Sequence, residues 1–131
     1  MPKIINLEKH TDFRGNLVAI DSILPYNIAR VYYIYNVNDS IRGGHRHKNT
    51  IQALICIKGS CKIYCNNNIN ESIFELNEPD FCLLLEPEDW HEMYDFSNDS
   101  ILLVLASLPY NIEDYIYEPY QNSLRRPKKS Q

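Results

Sequence analysis

The sequence contains no long hydrophobic run. Its longest purely apolar stretch is the six residues Ile101–Ala106, and a membrane-spanning helix needs ~20. The first nine residues carry charges at positions where a signal peptide would need an apolar segment. We therefore expect a protein without a membrane span that works in the cytoplasm.

Positive charge is scarce outside the last seven residues. The 131 residues include 13 Lys and Arg against 17 Asp and Glu, for a net charge of −4. Four of the basic residues lie within positions 125–131, so the rest of the chain has nine against 17 and a charge of about −8. Such a surface argues against general nucleic-acid binding, which depends on attraction to phosphates. We predict a single domain over residues 1–124 and a frayed basic tail over 125–131.

No Cys-x-x-Cys pair is present among the four cysteines, Cys56, Cys61, Cys65 and Cys82. This spacing excludes the zinc-ribbon pattern. Without a secretory signal, the thiols are expected to be reduced residues that pack inside the protein.

Short segments rich in β-branched and aromatic residues make up most of the chain, and turn residues separate them. Strands are predicted at residues 17–20, 28–35, 51–57, 61–64, 72–76, 81–85 and 101–106. Residues 51–64 read as a hairpin that turns at Lys58-Gly59-Ser60. The only helix candidates, at 113–117 and near the C-terminus, are weak. The pattern predicts an all-β sandwich, jelly roll or barrel.

The segment with the most distinctive chemistry is RGGHRHK, at residues 42–48. Residues i and i+2 of an extended chain project to one side, so His45 and His47 are expected to line one wall. His91 follows a loop-like stretch that begins at Pro87. An all-β barrel can bring the two segments together.

Two kinds of site fit these histidines. A metal site would use His45, His47, a later histidine and a carboxylate. However, Gln52 stands where the usual cupin pattern has an acidic ligand, and Arg46 and Lys48 add positive charge nearby. The alternative is metal-free proton transfer by imidazoles, whose pKa lies near neutrality. Arg14, Arg42 and Lys48 would then hold an anion such as a diphosphate. We favour this second interpretation, with no metal and no cofactor.

Four segments occur in an order that is specific to one family: residues 12–20, 30–34, 42–48 and 90–93; the match continues through residues 106–107 to 113–116. Across roughly residues 4–120 the chain resembles the nucleotide-sugar 3,4-ketoisomerases, the WxcM-like cupins that act on dTDP-4-keto-6-deoxy-D-glucose. One departure is Arg46, where the family often has a small residue, and its side chain is expected to point away from the histidines.

The resemblance implies an all-β cupin jelly roll (a double-stranded β-helix) that forms a homodimer with exchanged N-terminal strands and needs no metal. It also implies isomerisation of dTDP-4-keto-6-deoxy-D-glucose to a dTDP-3-keto-6-deoxyhexose. Such an enzyme contributes to 3-amino-3,6-dideoxy sugars for lipopolysaccharide O-antigen and other surface polysaccharides.

The implied reaction moves a proton from C3 to C4 through an enediol. We expect His45 to move the carbon-bound proton and His47 to assist at oxygen; the reverse assignment stays open at this point. Tyr32 is the candidate donor to the enediolate oxygen, since Tyr33 would face the other side of a regular strand.

The remaining candidates bind substrate. Arg14, Arg42 and Lys48 are assigned to the diphosphate or sugar, Gln52 to a hydrogen bond in the pocket, and His91 to the pocket wall. Protonation of C4 from either face gives a gluco or a galacto product. Arg14 and His91 resemble the galacto-forming members, so dTDP-3-keto-6-deoxy-D-galactose is the expected product.

Three other functions remain open at this point. A dTDP-sugar 3,5-epimerase also removes protons next to this ketone, but such enzymes are longer and typically use a His–Asp dyad. A metal-dependent cupin enzyme would need added metal. A non-catalytic cupin would bind the sugar nucleotide without turnover, although binding alone needs no paired imidazoles.

Overall fold

The computed structural model describes residues 1–121 and consists almost entirely of β-strands. The predicted tail at 125–131 lies outside the described residues. The all-β prediction is confirmed. In chain order the strands are β1 (Lys3–Asn6), β2 (Glu8–Asp12), β3 (Gly15–Ala19), β4 (Arg30–Tyr35), β5 (Arg42–His47), β6 (Gln52–Lys58), β7 (Cys61–Asn66), β8 (Glu71–Leu76), β9 (Phe81–Leu85), β10 (Trp90–Tyr94), β11 (Ile101–Ala106) and β12 (Tyr115–Ile116). A 3₁₀ turn, Ile112–Asp114, precedes β12.

Two five-stranded sheets are formed, and all their strand pairs are antiparallel. The first has the order β1-β9-β6-β11-β4 and the second the order β12-β5-β10-β7-β8. The β2–β3 hairpin is a separate two-stranded sheet. No helix within residues 1–121 has the length and apolar character required to cross a membrane.

The main core lies between the two sheets, because alternate residues of each strand face the gap. Leu54, Leu83 and Leu102 come from the first sheet, and Ile63 and Leu76 from the second, all fully buried. All four cysteines are buried and have free thiols, as predicted.

A second apolar cluster covers the outer face of the first sheet. Ala53, Ile55 and Leu105 lie there, and two residues of the N-terminal segment, Leu7 between β1 and β2 and Val18 in β3, pack over them. β6 and β11 are therefore central strands with apolar neighbours on both faces. This explains why their sequences are continuous apolar runs instead of alternating ones.

Two local predictions are wrong. β6 and β7 do not pair as a hairpin: β6 pairs with β9 and β11, whereas β7 pairs with β8 and β10. The turn between them carries the chain from one sheet to the other. The predicted helix at 113–117 is instead the 3₁₀ turn followed by β12, because Tyr115 and Ile116 pair with the end of β5.

Candidate active site

A β-bulge in β5 sets the position of the first histidine. In the pairing with β10, His45 lies opposite His91 and Gly43 lies opposite Glu92, so Gly44 has no partner. Gly43 has a φ of +82°, and a Cβ there would lie 3.0 Å from the carbonyl oxygen of His91. Glycine thus permits both the backbone conformation and the close approach of β10.

Three imidazole rings form one cluster on the inner side of the second sheet. The ring centroids of His45 and His47 are 5.0 Å apart, and those of His45 and His91 are 4.8 Å apart. His91 lies inside β10, between β5 and β7, and not in a loop as its flanking sequence indicated. Its Nδ1 lies 3.2 Å from the carbonyl oxygen of Asp89.

A buried carboxylate contacts the second histidine. Asp114 Oδ2 lies 2.9 Å from His47 Nδ1. The same carboxylate accepts hydrogen bonds from the Thr50 hydroxyl and, at 2.8 Å, from the Asn49 backbone N–H. Burial by itself would raise the pKa of Asp114, but these hydrogen bonds hold it below its ordinary value. The site therefore contains a His–Asp pair, the feature expected above of the epimerase alternative.

Burial keeps the cluster neutral at pH 7. It lowers the pKa of His45 to about 4, with a further contribution from His47, and that of His91 to about 3, with a further contribution from His45. Burial also lowers the pKa of His47, although Asp114 opposes this shift. No hydrogen-bond partner for the Nε2 atoms of His47 and His91 is found among the described residues. Both atoms are buried, and both rings lie against His45, which lines the cavity described below.

Tyr32 and Gln52 face the cluster from the first sheet. Gln52 is buried and its Nε2 donates to the Tyr32 hydroxyl at 3.0 Å. Burial raises the pKa of Tyr32, so the phenol keeps its proton. Because the hydroxyl oxygen already accepts from Gln52, its proton is available for donation. Tyr33 faces solvent, as alternation along β4 predicts.

A cavity of about 270 Å³ opens at this point. Among the residues that line it are Arg30, Tyr32, Arg42, His45 and Tyr115. The Arg30 guanidinium lies over the Tyr32 ring, 4.4 Å from its centroid. Two guanidinium groups and a neutral histidine thus share one opening, which fits an anionic ligand with an uncharged reacting end.

Two predicted ligand-binding residues lie away from this cavity within the single chain. Arg14 is at the tip of the β2–β3 hairpin, where it is paired with Asp12. Lys48 lines a separate cavity of about 530 Å³ together with Asn49, Tyr110 and other residues of the C-terminal segment. Arg46 points away from the histidines, as predicted, and its guanidinium lies 4.2 Å from the Tyr120 ring centroid.

Three residues of the site were not predicted: Arg30, Asp114 and Tyr115. Arg30 could have been found by alternation, since it lies two residues before Tyr32 on the same face of β4. Asp114 and Tyr115 gave no such signal, because they reach the histidines only through the pairing of β12 with β5. The Tyr115 ring lies within 4.7 Å of both His45 and His47. In residues 1–121, no group of three or more His, Cys, Asp or Glu side chains is arranged to hold a metal ion.

Comparison with known families is informative over nearly the whole chain. The family model FdtA, described as WxcM-like, C-terminal, matches residues 1–125. The chain belongs to this family. It is 44% identical over 124 residues to a TDP-4-oxo-6-deoxy-alpha-D-glucose-3,4-oxoisomerase from Aneurinibacillus thermoaerophilus, covering 92% of this chain and 88% of that protein.

Solved structures of family members have the same fold. A mutant of the 3,4-ketoisomerase QdtA from Thermoanaerobacterium thermosaccharolyticum, in complex with TDP-4-keto-6-deoxyglucose, is 42% identical, with a TM-score of 0.86 over 89% of this chain and 87% of that one. The WlaRB TDP-quinovose 3,4-ketoisomerase from Campylobacter jejuni is also 42% identical. Its TM-score is 0.85, and the match covers 89% of this chain and 92% of that one. The cupin-like jelly-roll assignment agrees with these matches.

Proposed function

We propose that this protein is a sugar 3,4-ketoisomerase that converts dTDP-4-keto-6-deoxy-D-glucose into a dTDP-3-keto-6-deoxyhexose. The observation that carries the proposal is the neutral pair His45 and His47, which share one face of β5 beside a cavity with two guanidinium groups. Relatives above 40% identity that are named 3,4-ketoisomerases support the same conclusion.

The histidine pair supplies both proton transfers. Neutral His45 removes the C3 proton, and the electron pair forms the C3–C4 double bond as O4 becomes an oxyanion. His47 moves a proton from O3 to O4, directly or through water. The imidazolium of His45 then returns its proton to C4 as the C3 ketone forms. Hydrogen is redistributed within the sugar, so the reaction needs no external oxidant or reductant.

Tyr32 stabilises the intermediate. Its hydroxyl remains protonated and donates to the oxygen on which negative charge develops. Gln52 holds this hydroxyl from behind through Nε2. Its Oε1 has no hydrogen-bond partner among the described residues and is available to accept from a sugar hydroxyl.

The diphosphate is bound by arginines. Arg42 lies at the mouth of the cavity and forms bidentate contacts with phosphate oxygens. Lys48, one residue beyond β5, contributes a positive charge further out. Arg14 acts in the site of a second subunit, because within its own chain it lines a cavity that contains none of the three clustered histidines.

An apolar surface supports a homodimer. On the outer face of β4 and the strands beside it, Val31, Tyr33 and Tyr35 are each more than half exposed, and Ile57 and Leu103 lie next to them. Monomers rarely expose so contiguous an apolar patch. The occupant we propose is a second copy of this chain with exchanged N-terminal strands: the pairing of β1 with β9 and the packing of Val18, which the structure has within one chain, would then be made with the partner's sheet.

We assign the galacto product, dTDP-3-keto-6-deoxy-D-galactose, on the basis of Arg14 and His91. His91 packs against His45, with 4.8 Å between the ring centroids, and through this contact affects which face of C4 receives the proton. Quinovose is 6-deoxyglucose, so the name of WlaRB indicates that relatives with similar identity act in the gluco series. The specific residues, and not overall identity, carry this assignment.

The product has a ketone at C3, which suits a subsequent transamination to a 3-amino-3,6-dideoxy sugar for surface polysaccharide. We place the enzyme in the cytoplasm, where nucleotide sugars are made.

Proton NMR in deuterium oxide tests the activity. EDTA-treated protein incubated with dTDP-4-keto-6-deoxy-D-glucose is expected to give a 3-keto species, and the couplings at C4 distinguish the galacto from the gluco product. Exchange at C5 in place of C3 would indicate an epimerase. Inactivity relieved by added Fe, Mn or Zn would indicate a metal-dependent cupin. Binding without turnover under every condition would indicate a non-catalytic module.

A further inference from the structure

The carboxylate of Asp114 is held more firmly than a simple ion pair requires. Its Oδ1 accepts from the Asn49 backbone N–H at 2.8 Å, and its Oδ2 accepts from the Thr50 hydroxyl and contacts His47 Nδ1 at 2.9 Å. The backbone of Asp114 is also fixed: its carbonyl oxygen accepts from Lys48 N, and its N–H donates to the Asn111 carbonyl oxygen, each at 2.9 Å.

These contacts determine which nitrogen of His47 carries the proton. A carboxylate that already accepts two hydrogen bonds remains an acceptor, so His47 must donate to it from Nδ1. The neutral ring then has a bare lone pair on Nε2. That atom is buried and has no hydrogen-bond partner in the described part of the chain. The ring that carries it packs against the rings of His45 and Tyr115.

We propose that Asp114 is a positioning residue for His47: it selects the Nδ1–H tautomer and orients the ring so that Nε2 can accept the proton that His47 moves from O3 to O4. This inference rests on the ketoisomerase function proposed above. Asp114 does not touch the substrate. It acts through His47, and Thr50 and the Asn49 N–H keep its carboxylate in a single orientation.

Asp114 also ties the C-terminal segment to the end of β5, so a purely structural role must be separated from tautomer selection. Thr50, which donates to Oδ2, can rotate its hydroxyl to accept instead, and the variant Asp114→Asn keeps the size of the side chain and, at Oδ1, its capacity to accept from the Asn49 backbone N–H. Its amide N–H₂ then faces His47 Nδ1, which favours the opposite tautomer, with the proton on Nε2.

The first measurement is the tautomer itself, from the ¹⁵N chemical shifts of His47 in the ligand-free protein. We expect Nδ1–H in the wild-type protein and Nε2–H in Asp114→Asn, with Glu113→Gln unchanged. Glu113 is the matched control, because it is the exposed acidic residue next to Asp114 in the same turn. An unaltered tautomer in Asp114→Asn would overturn the proposal.

The second measurement is turnover. Asp114→Asn is expected to lower kcat by about 10- to 100-fold, with little change in KM. In a His47→Asn background the same substitution is expected to cause no further loss, because its effect passes through His47. Additive losses would overturn the proposal and indicate a structural role. If Asp114→Asn does not fold, Thr50→Val tests the same point by loosening the carboxylate, with a smaller loss of kcat expected and full activity contradicting it.

Failure of the proposed function is distinguishable from failure of this inference. A wild-type protein that does not isomerise the sugar nucleotide would contradict the function, whereas the tautomer measurement needs no substrate and reports on Asp114 alone.

Discussion

Each of the three clustered histidines is kept neutral by burial, but their partners differ. His47 has a carboxylate on Nδ1, whereas His91 has only a backbone carbonyl oxygen. His45 contacts the rings of both and also lines the open cavity. It is therefore placed to contact substrate directly and to move the carbon-bound proton, with His47 beside it to act at oxygen and His91 as a fixed wall.

Replacing the reacting imidazole is expected to remove catalysis and leave binding intact. His45→Asn retains a polar side chain of similar reach but has no basic nitrogen that can take and return a proton. We expect kcat to fall on the order of 100- to 10,000-fold, while the affinity for dTDP, measured by titration calorimetry, stays within a few-fold. A variant that no longer binds dTDP would instead make His45 a binding residue.

Alternation along a strand was sufficient to predict part of this site. It placed His45 and His47 on one face and separated Tyr32 from Tyr33, because both pairs lie on strands. Alternation could not predict the contact of Asp114 with His47. The two residues are 67 positions apart in the chain and meet only because β12 pairs with β5. Short-range periodicity carries no information about such a contact.

Two glycines with positive φ lie at points that determine how strands meet: Gly59 in a turn and Gly44 in a bulge. Gly59 lies in the turn that takes the chain from β6 in one sheet to β7 in the other, with a φ of +74°. A Cβ at this position would lie 2.2 Å from Ser97 Oγ and 2.9 Å from Ser100 Cα. Gly44, in the β5 bulge, has a φ of +77° but no atom within 4 Å of such a Cβ.

These two positions allow backbone strain to be separated from steric clash. Gly44→Ala is expected to lower the free energy of unfolding by about 1 kcal/mol, from the left-handed conformation alone. Gly59→Ala is expected to lose an additional ~1–3 kcal/mol, since Ser100 backbone must move. Urea unfolding at one fixed protein concentration gives both values. Equal losses would contradict the role assigned to the β6–β7 turn.

Strands β5 and β10 were not among the strands predicted from the sequence, because their composition is not typical of strands. β5 contains two glycines and four arginine or histidine residues, and β10 contains a histidine and a glutamate. Their residues serve the site instead of following strand propensity. The predicted β6–β7 hairpin was wrong for a related reason: turn chemistry identifies a reversal but not which sheet the next strand joins.

At the scale of the whole molecule, Arg14 and the histidine cluster do not come together within one chain. Arg14 is exposed at the tip of the β2–β3 hairpin, next to Phe13, whose side chain is 98% exposed. The histidine cluster lies between the two five-stranded sheets, and neither sheet pairs with this hairpin. A homodimer would cover Phe13 and bring Arg14 to a histidine cluster, since the hairpin of one subunit would pack on the other and place Arg14 at its cavity.

Mixed dimers test this arrangement. Arg14→Ala and His45→Asn homodimers are each expected to lose most activity, the first through a raised KM. A heterodimer of the two, isolated through different affinity tags, would contain one site with both Arg14 and His45 intact. We expect about half of the wild-type activity per dimer, because a symmetric dimer has two equivalent sites. If Arg14 served its own subunit, neither site of the heterodimer would be complete, and activity no higher than in the parents would show this.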